Sequence, residues 1–330
     1  MWYSNGGILS YNKIFNFVIG NRGGGKTFDS VKWAINDYKK NGKEFIYVRR
    51  YKEEMKESKA SFFEAIINEG LFPDDELSIK GNKAYINGKK FGYFIILSTS
   101  LTLKSVNYPK VNKIIYDEFL LDKGHITYLQ NEVHTFLNLY ETVDRLRDEV
   151  RVLFLGNNIS IVNPYFLHYN IRPDLSKKFN KYPHMVVEYY TNEEYIKAKS
   201  QTRFAKLNEG TTFNDFNIHN KPLLDNDIFI KDKSKGSKFI FAFKYNSNIY
   251  GVWADFNEGE MYVSNKYDKS CKRIFSLTKT DHTPNLLLLK NIRSNPLFDK
   301  LMFAFENGIL FFDNMFIKNQ IYEFFNYYMK

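Results

Sequence analysis

An α/β architecture built as two units is predicted by three observations. Apolar strand-like runs alternate with amphipathic helical stretches over roughly the first 190 residues, a glycine-rich loop joins the first such strand to the first such helix, and a meander of short strands takes over from about residue 227. At 330 residues the chain also exceeds the ~250 at which a single core stops growing. Its 44% hydrophobic and 25% charged residues are those of a globular protein and exclude a disordered one.

Taken in order, KIFNFVIG (13–20) reads as the first strand. After the loop NRGGG, the stretch from Lys26 spaces Phe28, Val31, Ala34 and Ile35 on one helix face. EFIYVRR (44–50) is a second strand, and a meander of ELSIKG, KAYING and KKFGYFIILS turns at Gly81-Asn82 and Asn87-Gly88. KIIYDEF (113–119) is a buried strand, residues 129–148 form a helix, VRVLFLG (150–156) is another buried strand, and MVVEYY (185–190) follows. These make a mostly parallel sheet over 1–190. A small helical linker is expected over 191–226, where a polar helical stretch runs into a loop through Asn220, Lys221 and Pro222. The second unit, 227–330, contains IFI, KFIFAFKYN, NIYGVWADF and GEMYVSN as strands and ends in helices such as NPLFDKLMFAFENG.

Cys271, the one cysteine, forms no internal disulfide, and no charged-then-apolar leader opens the chain, so a reducing cytoplasm is the expected setting. Apolar runs such as FIILS (94–98) and NLLLL (285–289) are far short of the ~20 residues that span a bilayer, so no membrane partner is expected. A net charge of +10 suits a polyphosphate partner such as nucleic acid, and equally an acidic protein surface.

Gly20, Asn21, Arg22, Gly23, Gly24, Gly25, Lys26 and Thr27 match the G-x-x-x-x-G-K-[ST] pattern in its required place between strand and helix. Glycines let successive backbone N–H groups face phosphate oxygens, and the helix adds its positive end. Lys26 is expected to reach the β- and γ-phosphates and Thr27 to offer its hydroxyl to Mg²⁺, so ATP and Mg²⁺ are the expected cofactors. KIIYDEF ends in two carboxylates: Asp117 would hold Mg²⁺ through water, and Glu118 would orient the attacking water, which gives a P-loop ATPase of ASCE type. Asn157, after the last buried strand, is a candidate sensor of the γ-phosphate or a turn-forming residue beside Asn158.

The segments FVIGNRGGGKT, EFIYVRRYK, IIYDEF, NEV…LNL, SIVNPYF, SKFIFAFKYN, GVWADFNEGEMY and FENGILFFDN together resemble the DNA-packaging ATPases of phi29-like small tailed phages over nearly the whole chain. The resemblance implies a homopentameric ring, in the host cytoplasm and transiently at the portal (connector) vertex of an empty procapsid. That ring pumps double-stranded DNA inward with ATP; some relatives also need a packaging RNA, which no residue pattern in this sequence indicates. It also implies a trans-acting arginine at Arg145, with Arg147 as the second choice, and an active-site lysine at Lys104 in TLKSVNYP. Arg145 is expected near a helix C-terminus at the edge of the sheet.

Candidate DNA contacts are Arg49, Arg50, Lys52 and Lys56, read as a basic turn after the second strand, and Lys123. The second unit resembles the family's ribonuclease H-like C-terminal domain, which lacks nuclease activity. In keeping with that, KFIFAFKYN carries no carboxylate, and Asp255, Glu258 and Glu260 lie on or beside the next hairpin, where they serve equally well as turn residues. Two alternatives to a packaging motor are a terminase-like motor with an active nuclease and a non-hydrolysing nucleotide-dependent scaffold between portal and capsid.

Overall fold

The computed structural model describes residues 2–121, 128–129, 131–159, 163–169, 171, 173–220, 229–289 and 295–328. The chain divides into two compact units, Met1–Leu224 and Asp225–Lys330.

In the first unit a short helix α1 (Gly6–Leu9) precedes β1 (Phe15–Gly20), α2 (Lys26–Asn41) and β2 (Glu44–Arg49). Two helices that the sequence pattern did not announce come next, α3 (Lys52–Ala60) and α4 (Glu64–Asn68). The expected meander follows as β3 (Leu77–Lys80), β4 (Lys83–Ile86) and β5 (Lys89–Ile96), then a 3-10 turn over Leu97–Leu103. β6 (Val111–Asp117), α5 (Glu132–Asp144), β7 (Arg151–Asn157) and α6 (Pro164–His168) lead to β8 (Phe179–Lys181) and β9 (Met185–Tyr190). The helices expected in the linker, α7 (Glu193–Ser200), α8 (Arg203–Leu207) and α9 (Thr212–Asn217), cluster with this unit.

The nine strands lie in the order β3-β4-β5-β2-β6-β7-β1-β9-β8. From β5 through β9 every neighbour is parallel, and only the β3-β4-β5 meander and the β8-β9 pair are antiparallel. Every residue of β1 is buried, as befits a strand with helices on both faces. Along it Phe15, Phe17 and Ile19 pack with Phe136 and Leu139 of α5 and with Tyr165 and Phe166 of α6, whereas Val18 packs with Val31, Ala34 and Ile35 of α2. Because β7 stands between β1 and β6, the strand carrying the phosphate loop and the strand carrying Asp117 are not neighbours.

The second unit holds β10 (Lys238–Tyr245), β11 (Asn248–Asp255), β12 (Glu260–Ser264), β13 (Ile274–Ser276), β14 (Leu287–Leu288), α10 (Pro296–Glu306), β15 (Leu310–Phe312) and α11 (Met315–Tyr328). Its sheet order is β14-β13-β10-β11-β12-β15, with β10, β11 and β12 antiparallel and β13 parallel to β10. Counted from its first strand the sheet therefore runs 5-4-1-2-3 before β15, the ribonuclease H-like plan expected. Its core joins Phe241, Phe243 and Val252 to Phe298 and Leu301 of α10 and Ile321 of α11. Among the described residues no helix is long and apolar enough to cross a membrane.

Candidate active site

Parallel pairing brings the chemistry-bearing residues to one end of the first sheet. Gly20 is level with Asn157, and Asp117 is level with Leu155, so the loop after β1 and the ends of β6 and β7 share an edge. The loop's own path needs glycine at two places. A Cβ on Gly20 would lie 2.2 Å from the carbonyl oxygen of Tyr190, and Gly25 has φ +88°. α2 then starts at Lys26, with its first N–H groups facing the loop.

The Lys26 ammonium donates to the carbonyls of Gly20 (3.0 Å) and Asn21 (2.6 Å) and to Oδ1 of Asn157 (3.4 Å). Burial pushes its pKa down to about 8, against the upward pull of Asp117 and Glu118. Thr27 Oγ1 donates to Asp117 at 3.2 Å, and Tyr47 of β2 donates to the same carboxylate at 2.7 Å. A hydroxyl and a carboxylate so close form the hard-oxygen pair that Mg²⁺ takes alongside phosphate oxygens. Among the described residues no group of three or more His, Cys, Asp or Glu side chains is placed to hold a metal ion. Glu118 sits at φ +55°, a conformation uncommon outside glycine, and its side chain is half exposed to the cleft. The cleft, 510 Å³, is lined by the loop, Trp2, Phe28, Asp117, Glu118 and Asn157. Trp2 and Tyr47 have no signal in the sequence, because only folding brings Trp2 to the loop and Tyr47 to Asp117.

Two of the candidate DNA contacts are corrected by burial. Arg49 is turned inward, donating to Asp117 (3.3 Å) and Glu118 (2.7 Å), and Arg50 is wholly buried against Glu132. Neither guanidinium is open to a DNA phosphate. Lys52 and Lys56 are exposed, on helix α3 rather than on a turn. Lys123 lies outside the described residues.

Arg145 is exposed, in the left-handed region at the C-cap of α5, and donates to the carbonyls of Lys104 (3.4 Å) and Val106 (3.0 Å). Lys104 is exposed beside it. The expectation of a sheet-edge position is corrected: Arg145 precedes β7, a central strand, and lies at the start of the strands. It is thus separated from its own phosphate loop by the length of β7, roughly 20 Å. Arg147 instead donates to the carbonyls of Pro109 (2.8 Å), Val111 (2.8 Å), Val143 (2.6 Å) and Asp144 (3.0 Å), which fastens the turn.

In the second unit Asp255 accepts from the backbone N–H of Asn257 (2.9 Å) and Glu258 (3.2 Å) and from the Ser234 hydroxyl, which hold it below the usual carboxylate range. Glu260 pairs with Lys231 at 2.6 Å. Both carboxylates are engaged as turn and surface partners.

A glycine-rich loop between strand and helix, and a carboxylate pair on a strand once removed, define a P-loop nucleoside triphosphatase of ASCE type. The chain belongs to the Podovirus DNA encapsidation protein (Gp16) family, whose model matches residues 1–329. The DNA packaging proteins of Bacillus phage PZA and Bacillus phage phi29 are each 42% identical to it over 325 residues, which cover 98% of this chain and 97% of theirs. A chain of the solved bacteriophage Phi-29 viral genome packaging motor assembly is similar at TM-score 0.79 and 40% identity, over 98% of both chains.

Proposed function

We propose that this protein is an ATP-driven translocase that packages double-stranded viral DNA into a preformed capsid through its portal. The observation that carries the proposal is the convergence of Lys26, Thr27, Asp117 and Glu118 at one strand edge, with Thr27 and Asp117 in hydrogen-bond contact, in a chain of the encapsidation family. Backbone N–H groups of Gly23 to Lys26 bind the phosphates, and Lys26 neutralises charge at the β- and γ-positions. Mg²⁺, which Thr27 and Asp117 would hold, supplies charge neutralisation across the same phosphates. Glu118 orients and polarises the attacking water, and Asn157 reports on the γ-phosphate from beside Lys26.

Arg49 holds Glu118 by an ion pair, so that carboxylate is free to act only once the pair opens. Arg145 is too far from its own loop to serve it and is exposed, which supports service to a neighbouring subunit in a homopentameric ring, with Lys104 at the same corner. The ring works in the host cytoplasm, transiently at the portal vertex. The second unit docks and handles DNA without cutting it, since Asp255 and Glu260 are taken up by local partners.

Phosphate release with double-stranded DNA present tests the core of the proposal. Glu118→Gln should bind a slowly hydrolysed ATP analogue as the parent does and turn over at least about 10²-fold more slowly. Parental turnover in Glu118→Gln would remove Glu118 from the chemistry.

A further inference from the structure

We propose that Arg50 and Glu132 are positioning residues for hydrolysis, acting by holding the main chain of Glu118 in its left-handed conformation; this rests on Glu118 being the residue that activates water. The side chains of both are fully buried. A guanidinium withdrawn from water is tolerated only with nearly all its N–H groups satisfied. Here Arg50 Nε donates to Glu132 Oε2 (2.7 Å) and Nη2 to Glu132 Oε1 (2.9 Å), a bidentate pair. Its remaining reach goes to main chain: Nη1 donates to the carbonyl of Glu118 (3.2 Å) and Nη2 to that of Phe119 (2.9 Å). The ring faces of Tyr116 and Tyr128 stand 5.6 and 5.0 Å from the guanidinium carbon.

The Glu118 carbonyl belongs to the peptide that follows the Glu118 Cα, where the side chain starts, and the Phe119 carbonyl belongs to the next peptide along. A non-glycine residue at φ +55° persists only where its surroundings over-determine it. Glu118 N–H donates to its neighbour Asp117 at 3.1 Å, and Phe119 N–H donates to the Leu155 carbonyl at 3.1 Å. With Arg50 on the carbonyls, the main chain of 118–119 is held from both sides while the carboxylate above it is half exposed and paired with Arg49.

Glu132 anchors the other end. It accepts from the hydroxyls of Tyr116 (2.8 Å) and Tyr165 (3.3 Å) and from the Leu129 N–H (3.0 Å). It also opens α5, whose far end is capped by Arg145, so the peptide of Glu118 and the arginine expected to act in trans are carried by one packed assembly.

The test uses the full chain with double-stranded DNA and compares Arg50→Lys, Glu132→Gln and Glu118→Gln. Lysine keeps the charge but has no fork to span a carboxylate and two carbonyls, and glutamine keeps the shape without the charge. Each positioning variant should bind the slowly hydrolysed analogue at near-parental affinity and site number, with KM little changed and kcat per site lower by on the order of 10²-fold. Adding Glu118→Gln to either should bring little further loss, since both act through that side chain. A merely structural role would lower the number of binding sites and hydrolysis together and leave kcat per site alone. That outcome in Glu132→Gln, beside an inactive Glu118→Gln, overturns the positioning role by itself. Parental turnover in Glu118→Gln overturns the water-activation reading beneath it. If Arg50→Lys fails to fold, Glu132→Gln and the gentler Tyr116→Phe, which deletes one hydroxyl on Glu132, carry the comparison, with a smaller kcat loss expected in Tyr116→Phe.

Discussion

Lys26 shows how one side chain's environment becomes a measurable pH dependence. In the free protein its ammonium titrates near 8 because burial strips its hydration. A triphosphate beside it restores the charged form, so binding above about pH 8 must take up a proton. Affinity for a slowly hydrolysed ATP analogue should be level below that pH and fall by up to about tenfold per unit above it, and calorimetry in buffers of different ionisation heat should read the proton. Level affinity through pH 9 would mean that Lys26 stays charged in the free site. The same shift has a sign for stability. Between about 8 and the ordinary value of 10.5 the unfolded chain binds more protons than the folded one, so this group's contribution to stability rises with pH across that window. Gly20 to Thr27 and Asp117 are legible in the sequence as candidate site residues because the loop and the strand end are each contiguous in sequence. The reading of Arg49 and Arg50 as DNA contacts fails because Glu118 and Glu132, which claim them, lie far along the chain.

Among the elements, α3 shows the limits of local pattern. Its residues KEEMKESKA are polar, with Met55 alone buried, so periodicity had almost nothing to register. What defines the helix is an end signal, the Glu54 carboxylate accepting from Tyr51 N–H at 2.8 Å. The helix presents Lys52 and Lys56 to solvent, and they are the members of the basic stretch that remain available for DNA. If α3 tracks phosphates, the slope of log affinity against log salt should flatten by roughly 0.9 for each contact removed, so Lys52→Ala with Lys56→Ala should flatten it by nearly twice that. An unchanged slope in the double variant places the DNA path on another element. The same comparison made with GC-rich and AT-rich duplexes should give one slope, because backbone contacts carry no base information.

For the whole molecule the decisive geometry is the separation of Arg145 from its own phosphate loop by the length of β7. An always-charged guanidinium that serves a neighbour's transferring phosphoryl group is worth about 10³–10⁵ in rate in other nucleotide hydrolases. Arg145→Ala should therefore bind nucleotide almost as the parent does and hydrolyse it very slowly, whereas Lys26→Ala fails at binding. Mixing the two inactive proteins pairs an intact loop with an intact arginine at some interfaces, and partial phosphate release should return. No activity at any mixing ratio, with mixed rings shown to form, would exclude action in trans by Arg145. Arg147 is then a poor substitute, since its guanidinium is spent on the carbonyls of Val143 and Asp144 in its own turn and of Pro109 and Val111 at the entry to β6.

What the sequence by itself determined is local. The phosphate loop, the apolar run ending in Asp117 and Glu118, the hairpin turns at Gly81-Asn82 and Asn87-Gly88, and the change of pattern into a second sheet all lie in short windows where backbone preference and periodicity speak directly. The order of strands belongs to the tertiary structure, because parallel neighbours are joined by distant crossovers that no window contains. That order inserted β7 between β1 and β6, set Asn157 level with Gly20, brought Tyr47 onto Asp117, and put Arg145 at the opposite end of the sheet from the loop. It also decided which cations are surface and which are structural. A buried arginine is stable only beside a carboxylate that folding delivers, and for Arg50 that carboxylate is Glu132.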